Sequence, residues 1–200
     1  MIIEKITHRF FNLILNDTLL DWCIHIHSKY IKPKIDKAEG RYITKNIQNK
    51  GIDARVKWGS VIYYSENLRL GNHVRIGEGA FLFCKGGITI GDNTQISRNV
   101  LIYSSNHDVN GGAIPYNDQY VNKAVIIGKS VWIGMNVVIT PGIKIGDGAI
   151  IGMGTVISKD VPAGAVVVGA QQRIVKQRDM KKFRPLEEEN ILFGLLWPEL

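Results

Sequence analysis

The segment with the clearest catalytic chemistry lies at residues 103–124, where His107 stands next to Asp108. An imidazole titrates near neutral pH, so it can remove a proton from a hydroxyl or an amine as that group attacks an electrophile. A histidine in a loop can equally serve only to hydrogen-bond the backbone. Both interpretations stay open on the residue type alone, and the elements that hold the segment must decide between them.

Those flanking elements repeat every six residues. From Ile127 to Pro162 an aliphatic residue returns at each sixth position, and glycine follows it in most units. The same step occurs earlier, interrupted by two-residue offsets. The residues in register are Leu70, Ile76, Leu82, Ile88, Ile90, Ile96, Ile102, Ile127, Ile133, Ile139, Ile145, Ile151 and Ile157.

A period of six fits neither a helix nor a plain alternating strand. Each hexad instead predicts a short strand and a turn, with the aliphatic residue stacked on its counterpart in the next coil. Three hexads make one triangular coil. The sequence therefore predicts an all-β solenoid, and the number of hexads in register disfavours chance alternation in a β-sandwich. The only large break in register lies between Ile102 and Val125, so the His107 segment leaves the solenoid as a loop.

The flanks of the repeat differ in composition. Residues 1–40 have apolar positions at helical spacing and predict a helical segment, with a break at the Lys-Pro-Lys sequence of residues 32–34. Residues 41–168 form the predicted solenoid domain, whose first part, through residue 67, looks like irregular strands or degenerate coils. Residues 169–200 form a C-terminal extension, and we expect its apolar end (191–197) to cover the open end of the solenoid or a neighbouring subunit.

The formal net charge of +7 favours acidic partners, among them nucleotides, acidic glycans and anionic membranes. No dense basic block with interleaved aromatic residues occurs, so no nucleic-acid partner is predicted. Polar residues interrupt the apolar N-terminal stretch, which predicts neither a signal peptide nor a membrane span and favours a cytoplasmic protein. Its basic rim allows weak membrane-surface association, although packing against the protein itself is the preferred interpretation.

Other chemical motifs are weak. Cys23, His25 and His27 alternate in sequence across a helix, so we predict no metal site. The Gly-Lys-Ser sequence at residues 128–130 lacks the glycine that a phosphate-binding loop requires, because Lys123 stands there. The two cysteines are far apart and predict free thiols in a reducing compartment.

Two strings carry a resemblance to a known family. VWIGMNVVITPGIKIGDGAIIGMGTVISKDVPAGAVVVG at residues 131–169 closely resembles the C-terminal coils of hexapeptide-repeat acyltransferases, and SSNHD at 104–108 resembles their catalytic-histidine segment. The resemblance covers residues 62–176 and is nearest to galactoside, maltose and polysaccharide O-acetyltransferases. It implies a left-handed parallel β-helix, acetyl-CoA as cosubstrate without a metal, and a homotrimer with its active sites between adjacent chains.

The resemblance also implies roles for single residues. His107 is expected to be the general base for direct attack on acetyl-CoA, without an acyl-enzyme, and the backbone amide of Met135, after Gly134, to polarise the thioester carbonyl. Residues expected to bind the cofactor are Trp132, Gly134, Met135, Met153, Ser158, Lys159, Arg173 and Lys176. On the acceptor side we expect contacts from Phe83, Asn106, Asp108 and Tyr116. The stretch 81–84 departs from the Asn-Phe-Asn segment of galactoside-type enzymes, which argues against a simple galactoside or maltose acceptor.

Three functions remain after these observations. The first is O-acetylation of a sugar hydroxyl, on a glycoside or a cell-surface polysaccharide precursor. The second is N-acetylation of a nucleotide-linked amino sugar, which the same base would serve. The third is a non-catalytic β-helix scaffold, which the presence of both His107 and Lys159 disfavours.

Overall fold

The computed structural model describes residues 17–108 and 118–169, together with Lys181 and Pro185. The chain divides into two units, residues 1–169 and 170–200. The apolar C-terminal end for which we predicted a covering role therefore lies outside the described residues, as do Tyr116, Arg173 and Lys176. All the elements below belong to the first unit.

Eighteen short strands form the described part of the solenoid. In chain order they are β1 (Asn49–Lys50), β2 (Arg55–Val56), β3 (Val61–Tyr63), β4 (Leu68–Leu70), β5 (Arg75–Ile76), β6 (Phe81–Phe83), β7 (Ile88–Ile90), β8 (Gln95–Ile96), β9 (Leu101–Tyr103), β10 (Ser105–His107), β11 (Tyr120–Asn122), β12 (Val125–Ile127), β13 (Trp132–Ile133), β14 (Val138–Ile139), β15 (Lys144–Ile145), β16 (Ile150–Ile151), β17 (Val156–Ile157) and β18 (Val166–Val167). A 3-10 turn at Ser65–Asn67 precedes β4.

Sixteen of these strands make three parallel sheets. The first sheet has the order β1-β4-β7-β12-β15, the second β18-β16-β13-β8-β5-β2 and the third β17-β14-β9-β6-β3. The chain visits the three sheets in turn and completes about six coils. Only β10 and β11 depart from this pattern, because they pair with each other and run antiparallel. The predicted β-solenoid is confirmed.

The hexad positions form the core. Every aliphatic residue that the six-residue step singles out is at most 5 % exposed. Counterparts in successive coils pair in register, as Ile96, Ile133 and Ile151 do across β8, β13 and β16. Burial of each such side chain stabilises the fold by roughly 1.5–3 kcal/mol before the entropy of ordering is subtracted. One column of aliphatic side chains per sheet thus holds the coils together.

In the described part of the chain, the N-terminal helical segment runs from Asp17 to Asn46, past the expected boundary at residue 40. It comprises α1 (Asp17–Ile26), a π-helical turn (His27–Ile31) and α2 (Lys32–Asn46). The predicted break at residues 32–34 falls at the boundary between the π-helical turn and α2, and Pro33 lies in the first turn of α2, a position that tolerates proline. Strand structure begins only at Asn49.

The last two turns of helix α2 pack against the first coil of the solenoid, which consists of β1, β2 and β3. The Thr44 hydroxyl donates to the Gly40 carbonyl at 2.7 Å and accepts from the Val56 N–H of β2 at 2.9 Å. The Glu39 carboxylate accepts from the Gly59 N–H at 3.0 Å. These contacts tie α2 to the edge strand β2, where an open ladder would otherwise expose unpaired backbone groups. In the described part of the chain, no helix is long and apolar enough to cross a membrane.

Candidate active site

His107 lies on an antiparallel hairpin that interrupts the solenoid. The chain leaves the third sheet after β9, forms β10 and β11, and returns to the first sheet at β12. In the hairpin Ser105 is opposite Asn122, and His107 is opposite Tyr120. The described base of the segment is therefore a paired ribbon, which holds His107 more firmly than a loop would.

Two buried serines anchor this hairpin. The Ser104 hydroxyl donates to the Phe83 carbonyl at 2.8 Å and accepts from the Gly86 N–H at 3.0 Å. The Ser105 hydroxyl donates to the Asn122 side-chain oxygen at 2.8 Å, across the ribbon. Buried hydroxyls need such partners, because an unpaired one loses its hydration without compensation. The two serines of the SSNHD string thus fix where the ribbon begins.

The His107 ring is held between the ribbon and an aromatic neighbour. It is half-buried, its Nδ1 atom is shielded from solvent, and its ring centroid lies 4.4 Å from that of Tyr120. The His107 N–H donates to the Asn106 side-chain oxygen at 3.0 Å. The Asp108 N–H donates to the Gln119 carbonyl at 3.0 Å and extends the ribbon by one residue. Of the predicted acceptor-side residues, Asn106 and Asp108 therefore flank His107 directly.

An aromatic surface adjoins the histidine on the third sheet. Phe83 stacks on Tyr103 at 5.2 Å and on Tyr120 at 6.2 Å between ring centroids. Phe81 extends the surface, with its ring 5.7 Å from that of Tyr103. The Lys85 ammonium lies 3.4 Å from the centre of the Tyr120 ring. Phe83, an expected acceptor-side residue, is at the centre of this surface.

Sequence reasoning missed Tyr103, Tyr120 and Lys85. A signal for Tyr103 was present, because outward positions flank each buried hexad residue and the hexad register sets Tyr103 beside Phe83. Tyr120 had no such signal, since its place depends on the pairing of the hairpin rather than on the hexad.

The expected cofactor residues near Trp132 form a separate strip. Trp132 points outward from β13 and is 57 % exposed, and Gly134 and Met135 occupy the turn that follows. Met153 occupies the corresponding turn one coil later and is 68 % exposed. The coils approach closely here, because a Cβ at Gly134 would lie 2.6 Å from the Met153 nitrogen. This strip lies along the second sheet and its edge with the third.

Ser158 and Lys159 lie elsewhere on the coil. Both are exposed and follow β17, at the edge between the third and first sheets. The His107 hairpin leaves the solenoid at that same edge, two coils earlier. Within one chain the structure thus brings His107 together with Phe83, Asn106 and Asp108, while the strip around Trp132 lies on another edge.

The buried cysteine beside the aromatic surface offers no nucleophile. Cys84 is fully buried, and burial raises the pKa of its thiol to about 12, with a smaller contribution from the charge of Glu66. A thiol with that pKa stays protonated at neutral pH and is a poor nucleophile. Cys23 is exposed on α1. Within residues 17–108 and 118–169 no group of three or more His, Cys, Asp or Glu residues could hold a metal ion.

Comparison with known proteins agrees with this architecture. Two family profiles match, the bacterial transferase hexapeptide (six repeats) at residues 124–159 and the hexapeptide repeat of succinyl-transferase at residues 67–104. A galactoside acetyltransferase solved with coenzyme A is 31 % identical, and the alignment covers 67 % of each chain with a TM-score of 0.58. The chain belongs to the hexapeptide-repeat acyltransferase family.

Other hexapeptide-repeat acyltransferases of known structure are similar. An acetyltransferase from Vibrio cholerae is 27 % identical over 68 % of this chain and 78 % of its own, with a TM-score of 0.58. A maltose O-acetyltransferase from Clostridium difficile is 29 % identical over 70 % of this chain and 74 % of its own, with a TM-score of 0.53. A search of curated protein sequences gives no significant match.

Proposed function

We propose that this acyltransferase transfers the acetyl group of acetyl-CoA to a sugar hydroxyl, with His107 as general base. The observation that carries the proposal is the half-buried His107 ring, fixed on a paired ribbon beside an aromatic surface. The similarity of the chain to a galactoside acetyltransferase solved with coenzyme A supports acetyl-CoA as the donor. We also propose a cytoplasmic location, where acetyl-CoA is available as the donor.

The proposed reaction is a direct transfer. His107 takes the proton of the acceptor hydroxyl while the oxygen bonds to the acetyl carbon, the C–S bond breaks, and the imidazolium returns the proton to the departing thiolate. Because Nδ1 is shielded from solvent, Nε2 is the nitrogen that we assign to the acceptor. The protonated thiol of Cys84 argues against an acyl-enzyme. The Met135 amide is proposed to stabilise the developing oxyanion.

The aromatic surface supports a sugar as the acceptor. Pyranose rings present a face of C–H groups that packs against flat aromatic rings, while their hydroxyls remain available for polar contacts. Phe83, Tyr103 and Tyr120 offer such rings next to the base. The acceptor in this proposal is a glycoside or a polysaccharide precursor.

The separation of the two groups of residues supports a homotrimer. His107 and the Trp132 strip lie on different edges of one solenoid, so a cleft between two copies would unite them. The strip and the outer faces near it expose apolar side chains, including Trp132, Met153, Val156 and Val166. Such exposure is typical of surfaces that a cofactor or another subunit covers. In this assembly Ser158 and Lys159 are proposed to contact CoA, as are Arg173 and Lys176.

A thiol-release assay with acetyl-CoA tests the proposal. The acceptor panel contains glycosides, polysaccharide fragments and nucleotide-linked amino sugars. We expect turnover with a hydroxyl acceptor, and a loss of roughly 10²- to 10⁴-fold in His107→Ala. The matched control is His25→Ala, on the exposed helix α1, which should retain full activity. Turnover with amino sugars alone would make the protein an N-acetyltransferase, and full activity of His107→Ala would remove the assigned base. If the protein neither releases thiol nor binds CoA, the remaining function is that of a non-catalytic β-helix scaffold.

A further inference from the structure

A cavity of about 750 Å³ lies between helix α2 and the first coil, away from the His107 hairpin. Its walls carry six cationic side chains and two carboxylates. The cationic residues are Lys37, Arg41, Lys45, Lys50, Arg55 and Lys57. The hexad pattern and the acyl-transfer chemistry account for none of them.

Both walls of the cavity carry exposed cationic residues, although most of the cavity surface itself is apolar. Lys37, Arg41 and Lys45 follow one another at four-residue spacing, so they share the face of α2 that lines the cavity. Gly40 lies on the same face and is buried, which brings the helix backbone close to β2. The opposite wall carries Lys50, Arg55 and Lys57 of the first coil. Helices usually pack through apolar faces, so a basic face against a basic coil needs another explanation.

The carboxylates nearby neutralise only part of this charge, because Asp53 pairs with Arg55 and the other two pair with cations outside the cavity. Asp36 pairs with Lys32 at 3.0 Å, and Glu78 pairs with Arg98 at 2.6 Å. Four of the cations, Lys37, Arg41, Lys45 and Lys57, have neither an ion pair nor a side-chain hydrogen bond to any described residue. Like charges that face each other across a partly enclosed space repel, and an anion between them relieves the repulsion.

The positive surface continues along the second sheet. A smaller cavity of about 420 Å³ shares Arg55 and Lys57 with the first and adds Arg75 and Arg98. Asp53 accepts hydrogen bonds from the guanidinium groups of Arg55 and Arg75, at 2.8 and 2.5 Å, and these hold the pKa of its carboxyl at about 2. Asp53 therefore orients both arginines and offsets one of their two positive charges.

This surface shares a face with the Trp132 strip. In the second sheet Arg55 is in register with Arg75, Arg75 with Gln95, and Gln95 with Trp132. Three strand spacings separate Arg55 from Trp132, about 14 Å. The cavity is thus a second region of the same face, far enough away to be a site of its own.

We propose that the cavity between α2 and the first coil binds a ligand that carries a diphosphate group. A compact group with several negative charges matches many cations around one small volume better than an extended polyanion with single, spaced charges does. Arginine and lysine both bind phosphate oxygens through charge-assisted hydrogen bonds. The site goes beyond the proposed acetyl transfer and does not depend on it.

Calorimetric titration of the full chain with inorganic pyrophosphate and with uridine diphosphate tests this site at constant ionic strength. We expect both to bind, and Arg41→Gln with Lys45→Gln to weaken binding roughly ten- to a hundredfold. The control removes two equally exposed charges outside the cavity, with Lys34→Gln on the same helix and Lys144→Gln on β15, and should bind like the parent. Circular dichroism is used to check that both double variants remain folded.

Further measurements separate the remaining outcomes. Saturating pantetheine, the part of CoA that lacks the diphosphate, should not displace pyrophosphate, because the site is distinct from the proposed cofactor strip. Displacement by pantetheine would overturn the inference, as would equal loss of binding in the control variant. Binding of an oligogalacturonate without binding of either phosphate probe would show a carboxylate site and refute the diphosphate. Absence of binding by every probe would refute the site altogether, whether or not the enzyme is active.

Discussion

At the residue scale, the two cysteines show how position within the solenoid sets chemistry. Cys84 lies in the core just after β6, directly before Lys85 of the aromatic surface, and its thiol is shut off from water. Cys23 is exposed on α1. We therefore expect the Cys23 thiol to be reactive and the Cys84 thiol to be inert, and only Cys84 lies near the proposed site.

This difference predicts selective thiol labelling. At pH 8 we expect N-ethylmaleimide to modify Cys23 rapidly and to leave Cys84 unmodified, because burial raises the pKa of Cys84 to about 12 and also blocks access. Intact-mass spectrometry should find one adduct on the folded protein and two in guanidinium chloride. The Cys23→Ala variant should give no adduct until it unfolds. Rapid labelling of Cys84 in that folded variant would contradict the packing of the core after β6.

The residues of the site were predictable to different degrees. His107, Asn106 and Asp108 stood out because the SSNHD string interrupts a regular pattern, and the structure indeed sets them side by side on β10 and after it. Tyr120 was not predictable, since a hairpin partner is fixed by strand register, here by the Ser105–Asn122 hydrogen bond. The roles of these residues in binding and catalysis stay predictions.

At the element scale, helix α2 packs against β2, the edge strand at the N-terminal end of the second sheet. The sequence predicts a helical segment that ends near residue 40, because the residues after it look like irregular strands or degenerate coils. Proline is well tolerated in a first helical turn, and the helix that contains Pro33 runs on to Asn46. Arg41, Thr44 and Lys45 line the basic cavity from those extra turns. The cavity also depends on how α2 packs against the first coil, and no repeat in the sequence specifies that contact.

The contact at Gly40 gives a test of this packing. In an ordinary helix, Gly→Ala raises stability by about 1 kcal/mol through backbone entropy. Here a Cβ would lie 2.8 Å from the Val56 carbonyl oxygen and 3.3 Å from the Trp58 nitrogen, and both are backbone atoms that cannot rotate away. We therefore expect Gly40→Ala to lower the free energy of unfolding by about 1–3 kcal/mol, as overpacked sites do.

Urea denaturation followed by circular dichroism measures the change. Lys34→Ala, at an exposed position of α2 that does not line the cavity, is the control and should leave stability nearly unchanged. A gain in stability for Gly40→Ala would mean that α2 does not rest against β2 in solution.

At the scale of the whole first unit, the period of six was enough to predict the solenoid and its core. Each hexad specifies one inward residue and one turn, so a local pattern repeated many times determines a global stack. The assembly of several copies is a different matter. Surfaces between chains follow no repeat, and within one chain His107 and the Trp132 strip remain on separate edges.

That separation predicts that two inactive variants restore activity to each other when they assemble together, which requires active sites shared between two chains. One inactive variant carries His107→Ala, and the other carries Trp132→Ala together with Met153→Glu, which sets a carboxylate on the proposed CoA strip. If each active site joins the hairpin of one chain to the strip of its neighbour, then mixed oligomers contain some clefts with both halves intact. Co-expression of the two variants with different affinity tags should therefore restore a measurable part of the parent activity, about a quarter of it when equal amounts of the two chains assemble at random.

The controls for this experiment use the same measurements. Each variant alone should stay near background after identical purification, and size-exclusion chromatography should show that both keep the oligomeric state of the parent. If every site lies within one chain, a mixed oligomer has no intact site, and activity stays at background although both tags are recovered together. Restored activity would place the base and the cofactor strip on different chains, and it would explain why apolar side chains such as Trp132, Met153 and Val166 are exposed on the single chain.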